Sequence, residues 1–180
     1  MIIKKLVLHN FRVFHGTHEI HLDPQGNSQN QKPVILIGGL NGAGKTSILT
    51  AIRYALHGRL AFEGIHQTRD YIAHISALIN HGADETSRPT EAAVELTFTY
   101  NKDGEESEFT VVRTWHRETV DNLVLQQNGI SLKELNYEQC QGFLNELVPP
   151  GVADLFFFDG EKISALAEDA SGQLLKTAVK

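Results

Sequence analysis

Apolar residues recur along this chain with two different periods, and the changes of period mark its elements. Ile2 to Leu8 and Thr17 to Leu22 read as short strands, most simply a hairpin, with Asn10-Phe11-Arg12-Val13-Phe14 and Gly16 between them. From Asp23 to Pro33 there is no apolar period and many turn formers, which predicts a surface loop. It leads into Val34-Ile35-Leu36-Ile37, an apolar run without polar alternation, as expected of a central strand covered on both faces. Ile48, Leu49, Ile52, Tyr54, Ala55 and Leu56 then follow near-helical spacing, and Gly58 sits where a C-terminal cap belongs. A second helix is expected over 67–80, ended by Asn80-His81-Gly82, before the polar break from Asp84 to Pro89.

The second half changes to a period of two. Val94, Leu96, Phe98 and Tyr100 alternate along a strand over 93–100, and Asn101-Lys102-Asp103-Gly104 supplies turn chemistry. Partner strands over 108–116 and 123–127 complete a meander. Tyr137 to Leu147 reads as a helix stopped by Pro149-Pro150-Gly151. The cluster Leu155-Phe156-Phe157-Phe158 follows, and its aromatic rings suit core packing better than base stacking. Residues 163–180 look helical apart from Ser171-Gly172. No internal repeat or low-complexity tract appears.

The stretch Gly38-Gly39-Leu40-Asn41-Gly42-Ala43-Gly44-Lys45-Thr46-Ser47 holds the full G-x-x-x-x-G-K-[ST] phosphate loop, between a strand-like run and a helix-like one. Its expected ligand is a nucleoside triphosphate. Gly39, Gly42 and Gly44 let the backbone curl so that successive N–H groups face one anion. Lys45 adds a mobile positive charge, the helix start contributes roughly half a charge more, and the Thr46 hydroxyl is placed to ligate Mg²⁺. No Asn-Lys-x-Asp guanine reader is present, which favours ATP.

Composition narrows the class. A chain of 180 residues with 41% hydrophobic content suits one globular domain or lobe. A net charge of −6 excludes a generally basic surface but not a local basic groove. Cys140 is the only cysteine, so neither an intrachain disulfide nor a cysteine-rich zinc site can form, and its apolar neighbourhood in a helix reads as core. With no signal-like N-terminus and no run of roughly 18 apolar residues, a soluble cytoplasmic protein with no membrane partner is expected. His15, His18 and His21 are spaced by three and would alternate faces on a strand, which makes them ordinary strand residues rather than metal ligands.

Leu6-Val7-Leu8-His9-Asn10-Phe11-Arg12-Val13-Phe14 with its Asn-Phe-Arg, the loop with Asn41 followed by Ala51-Ile52-Arg53-Tyr54-Ala55-Leu56-His57-Gly58, and Phe156-Phe157-Phe158-Asp159-Gly160-Glu161-Lys162-Ile163 form three separated pieces. Together they resemble the N-terminal ATPase lobe of the SMC-like proteins, ABC-type heads that carry long coiled coils. The resemblance spans essentially the whole chain. It implies an α/β P-loop NTPase lobe with a mixed sheet and an antiparallel β meander. Residues 1–180 would form a single lobe: strands, phosphate loop and helix over 1–60, a helical insert and meander over 61–130, and a helix, Q-loop-like segment and start of the arm over 131–180. Within the superfamily the last string is most similar to the DndD family, the ATPase of bacterial DNA phosphorothioation (sulfur modification).

The resemblance also assigns roles. Asn41 faces the γ-phosphate, Lys45 the β- and γ-phosphates, Thr46 the Mg²⁺ and Ser47 the α-phosphate region, with Gly39, Gly42, Ala43 and Gly44 lining the cradle. Arg12 either lies beside the phosphates or is a solvated arginine in a turn. Asp159 stands where the family usually has glutamine; a carboxylate there either contacts metal and attacking water, acting with Lys45 in catalysis, or simply makes the turn before Gly160. The Walker B strand, catalytic glutamate and signature motif are not visible, and Ser171-Gly172-Gln173 is too incomplete an echo to count. The chain therefore reads as half a head.

Its implied partners are its own C-terminal lobe, a second head in an ATP-dependent dimer, DNA through the full-length protein, and other DNA-modification proteins. A repair or defence head paired with a nuclease is the alternative within the superfamily. A transporter-type ATPase or small-molecule kinase is more remote: a transporter head usually places an adenine-stacking aromatic residue before its loop and should lack the Asn-Phe-Arg opening, and no phosphoacceptor pocket or arginine-rich lid of a kinase is seen.

Overall fold

The computed structural model describes residues 1–23, 35–84, 86–102 and 104–151. Six strands form one sheet: β1 (Ile2–Phe11), β2 (Phe14–His21), β3 (Glu91–Lys102), β4 (Glu105–His116), β5 (Asn122–Gln127) and β6 (Ile130–Ser131), in the order β2-β1-β3-β4-β5-β6. Each neighbouring pair is antiparallel. Among the described residues three helices, α1 (Lys45–His57), α2 (Thr68–Ala77) and α3 (Tyr137–Leu147), accompany it, with a 3-10 turn over Gly58–Ala61 after α1. None of these helices is long and apolar enough to cross a membrane.

The alternation seen in the sequence becomes a layered core through strand register. Leu6 pairs with Leu96, Leu96 with Val111 and Val111 with Leu125, so one row of apolar side chains crosses four strands. All four are essentially buried. The next row runs Leu8, Val94, Arg113 and Leu123, placing a guanidinium on the same core-facing side. The opposite face is more polar: Lys5 pairs with Glu95 at 3.4 Å, and the Thr97 and Thr110 hydroxyls lie 3.2 Å apart.

The helices close this core through aromatic residues. Trp115 meets Phe11 and Tyr54 edge-on at centroid distances of 6.1 and 5.1 Å, and its indole N–H donates to Ile75 O at 2.8 Å. One side chain of β4 thus ties together β1, α1 and α2, and its polar atom is satisfied. Cys140 is buried in α3 as its neighbourhood implies, and burial raises its thiol pKa.

Arg113 is fully buried yet well partnered. Its Nη1 bonds Asp121 Oδ2 and, at 3.1 Å, Tyr137 Oη; its Nη2 bonds Gln141 Oε1; its Nε donates to Ala55 O at 3.0 Å. Tyr71 Oη donates to Asp121 Oδ1 at 2.7 Å. A single ion pair therefore links β4, the β5 approach and all three helices. Burial and the adjacent Asp121 charge keep the Tyr71 phenol protonated, its pKa raised.

Several element bounds and one assignment differ from the sequence pattern. β1 and β2 extend into the turn segment, α2 ends at Ala77 rather than near 80, and β6 adds a short strand. The largest correction concerns Val34–Ile37. Residues 35–40 belong to no strand, and Ile35, Leu36 and Ile37 are 42, 91 and 40% exposed; Val34 lies outside the described residues. A strand requires neighbours to bond its backbone, and the six-stranded sheet does not include this segment.

Asp121→Ala leaves the buried Arg113 charge without its carboxylate, with an expected loss of about 3–5 kcal/mol. Glu95→Ala, at the half-exposed pair with Lys5, should cost less than about 1 kcal/mol. Urea unfolding of both variants checks the contrast.

Candidate functional site

The loop from Gly38 to Gly44 curls tightly before α1. Ala43 N donates to Leu40 O at 3.1 Å, and Lys45 Nζ reaches back to Gly39 O at 2.7 Å and Leu40 O at 2.9 Å. Gly42 and Gly44 adopt φ of 82° and 99°, a region other residues reach only with strain. Gly44 also has no room for a side chain: a Cβ there would lie 2.8 Å from the Phe14 ring and 2.9 Å from Val13 Cγ2. The β1–β2 turn is therefore pressed against the backbone where α1 starts.

Electrostatics separate this helix start from the other two. Gly44, the N-cap of α1, offers no side-chain hydrogen bond, and the first turn carries no acidic residue. By contrast, α2 has Asp70 in its first turn, and α3 has Glu138 together with an Asn136–Gln139 capping box. Ile48 N bonds Gly44 O, closing the first intrahelical bond; the amides of Lys45, Thr46 and Ser47 precede it. An N-terminus with positive partial charge, a lysine alongside and no competing carboxylate is chemically suited to a polyanion.

Asn41, Ala43, Lys45 and Thr46 are exposed at this mouth, while Ser47 is buried beneath it. Arg12 approaches from the hairpin turn, where its Nη1 donates to Thr50 Oγ1 at 3.2 Å; Thr50 in turn donates to Thr46 O at 2.8 Å. The structure thus brings the loop residues together and sets Arg12 about one helical turn from Thr46. Asp159 and Phe156–Phe158 lie outside the described residues.

Arg12 is held in an unusual backbone state, with φ of 51°. Its amide donates to Leu78 O at 2.7 Å, its carbonyl accepts from Asn80 Nδ2, and Asn80 N bonds Asn10 O at 2.8 Å. The segment after α2 therefore straps the Asn10-Phe11-Arg12 turn in place, with Phe11 and Ile79 forming an antiparallel bridge. Asn10 contributes through its side chain, whose Oδ1 accepts from Gly16 N at 2.8 Å. Neither the strap nor Thr50 stands out in the sequence, although Thr46, Thr50 and Arg53 share a helical face by spacing.

His74 borders the same region, on a cavity lined also by Arg12, Thr50, Arg53, Phe62 and Glu63, and its ring packs 4.2 Å from that of Phe62. Burial, and then the Arg12 charge, lower its pKa. The histidines of the hairpin do other work: His18 Nε2 contacts His15 O at 2.8 Å and His21 lies 3.1 Å from Glu19.

Residues 5–175 match the family described as AAA domain. The chain belongs to that family. Its fold matches, with a TM-score of 0.67 over 100% of both chains and 21% identity, a solved structure from work on "ATP-driven dimerization and DNA stimulated activation of SMC ATPases". The chain shares the fold of that SMC ATPase structure. Arcadin-4 of Pyrobaculum calidifontis is 30% identical over 131 residues, 73% of this chain and 14% of that protein. The SbcC component of the nuclease SbcCD from Vibrio cholerae is 48% identical over 54 residues, 30% of this chain and 5% of that protein. The chain spans at most 14% of the length of these two relatives.

Two measurements follow from the loop and its surroundings. Gly44→Ala combines backbone strain with a clash and should destabilise by well over about 1 kcal/mol, whereas Gly42→Ala, with open space for its Cβ, should carry only the roughly 1 kcal/mol backbone penalty; urea unfolding separates them. Unfolded His74 titrates near about 6.5, above its folded value, so between the two the unfolded chain binds more protons and stability falls as pH is lowered. His74→Phe should flatten that slope in thermal melts between about pH 5 and 7.5.

Proposed function

We propose that this chain is the ATP-binding lobe of an SMC-like ATPase head that works in DNA processing. The observation that carries the reading is the start of α1: a glycine-capped helix with no acidic residue in its first turn, whose loop is closed by Lys45. Gly39, Asn41, Gly42, Ala43 and Gly44 would cradle the phosphates, Lys45 would neutralise the outer ones, and Ser47 would lie near the α-phosphate. Arg12, already one turn from Thr46, would add charge at the phosphates. The donor set suits Mg·ATP, as Thr46, which carries a hydroxyl, is exposed next to Lys45 and Asp159 would complete the metal or water contact. Bound Mg²⁺ would supply neutralisation of the phosphate charge.

Turnover in this reading needs more than one lobe. Ile35, Leu36, Ile37 and Leu40 expose apolar side chains next to the loop, which supports a C-terminal lobe covering them. A second head would close on ATP, with hydrolysis releasing the pair. The residue division over 1–60, 61–130 and 131–180 and a cytoplasmic location belong to the same proposal.

Among DNA-processing roles, the Phe156-Phe157-Phe158-Asp159-Gly160-Glu161-Lys162-Ile163 string supports the ATPase of DNA phosphorothioation, acting beside other DNA-modification proteins. Similarity to the SbcC component of nuclease SbcCD favours the second reading, a repair or defence head partnered with a nuclease. Deleting the full-length gene and assaying phosphorothioate in genomic DNA distinguishes them: loss of the modification supports the first, unchanged modification the second.

Lys45→Ala should weaken Mg·ATP uptake by about tenfold or more in calorimetry, consistent with loss of one charge-assisted contact. Folded wild-type chain that takes up no Mg·ATP would sink the proposal. The 180-residue chain should also hydrolyse ATP far more slowly than the full-length protein.

A further inference from the structure

Near its C-terminal end, α1 is gripped by side chains from two other elements. The last carbonyls of a helix have no intrahelical partner, and here two of them, just past the closing bond to Tyr54 O, are satisfied by side chains. Gly58 N bonds Tyr54 O, Arg113 Nε donates to Ala55 O at 3.0 Å, and Gln141 Nε2 donates to Leu56 O at 3.0 Å. Gln141 Oε1 also accepts from Arg113 Nη2, so the two side chains form one clamp. Gly58 has φ of 53°, and a Cβ there would come within 3.0 Å of both Arg113 Nη1 and Gln141 Oε1, so the chain leaves the helix directly under the clamp.

The geometry points to Gln141, backed by Arg113, as a positioning residue for the nucleotide site; this rests on the reading of the loop as an ATP site. Leu56 lies about 16 Å along the axis of α1 from Lys45. A tilt of about 4° at the clamp would move the loop by about 1 Å, a displacement large enough to impair a phosphate cradle on the scale at which oriented contacts act. At the near end α1 is set by the Gly44 contact with Val13 and Phe14 and by Arg12 on Thr50. The clamp sets the far end and joins it to α3. Lys45 and Thr46 therefore take their orientation from two anchors, and the second one reports the position of α3.

Three variants of the 180-residue chain test this. Gln141→Leu removes both clamp bonds together with the contact to Asn145, and Gln141→Glu keeps an acceptor for Arg113 while losing the donor to Leu56 O and Asn145. Asn145→Ala removes only the 2.9 Å contact from Gln141 Nε2 to Asn145 Oδ1 and leaves the clamp intact. Mg·ATP affinity is measured by calorimetry well below each melting temperature, and amide hydrogen exchange over residues 41–47 without nucleotide. Both Gln141 variants should lose about tenfold in affinity and exchange faster in the loop, and Asn145→Ala should match wild type. Unchanged loop exchange in both Gln141 variants overturns the coupling, whatever the binding data show. A wild-type chain that takes up no Mg·ATP overturns the ATP reading instead, and the exchange result then still shows whether the clamp reaches the loop.

Discussion

One buried cation organises the lobe. Arg113 sits in a row of core side chains between Val94 and Leu123, where an isolated charge would be severely penalised. Its burial is sustained because Asp121 neutralises it, while Ala55 O, Tyr137 and Gln141 occupy three more of its donors. These partners come from a helix before the meander, a turn within it and a helix after it. Satisfying one guanidinium therefore requires all three to be docked together, which makes the arrangement of α1 on the sheet specific rather than merely apolar.

That specificity matters because of what lies at the other end of α1. The helix start carries partial positive charge, and the sequence there withholds the acidic residues seen at the starts of α2 and α3. The hairpin turn completes the arrangement. Its strained Arg12 backbone is held by Leu78 and Asn80, and its Val13 and Phe14 fit only against a glycine at position 44. Strain at Arg12 is stabilised by bonds remote from the loop, so the position of its guanidinium depends on α2 being docked.

Much of the fold was legible in advance. The Val94-Leu96-Phe98 alternation specified which face of β3 is buried, the helical spacing after Lys45 marked α1, and the bounds of α3 agree at both ends because a capping box starts it and prolines follow it. The tight curl of the glycine loop before α1 was legible because Gly42 and Gly44 answer a local steric demand. Arg113 was readable in principle: it shares parity with Phe109, Val111 and Trp115, and only the expectation that arginine faces water concealed it. The exposure of Ile35–Ile37 was not readable, since an apolar run signals that burial is favourable without naming the strand that provides it.

The sequence by itself determined the local chemistry: which residues bend, which form helices, and which loop sets amides and a lysine side by side at a helix start. Those properties depend on φ, side-chain branching and spacing within a few residues. Tertiary structure alone decided that Arg12 reaches Thr50, that Val13 and Phe14 press on Gly44, and that Gln141 holds Leu56. These contacts join residues 30 or more positions apart, and they form only when strand register and helix docking bring the separated segments together, which no local pattern encodes.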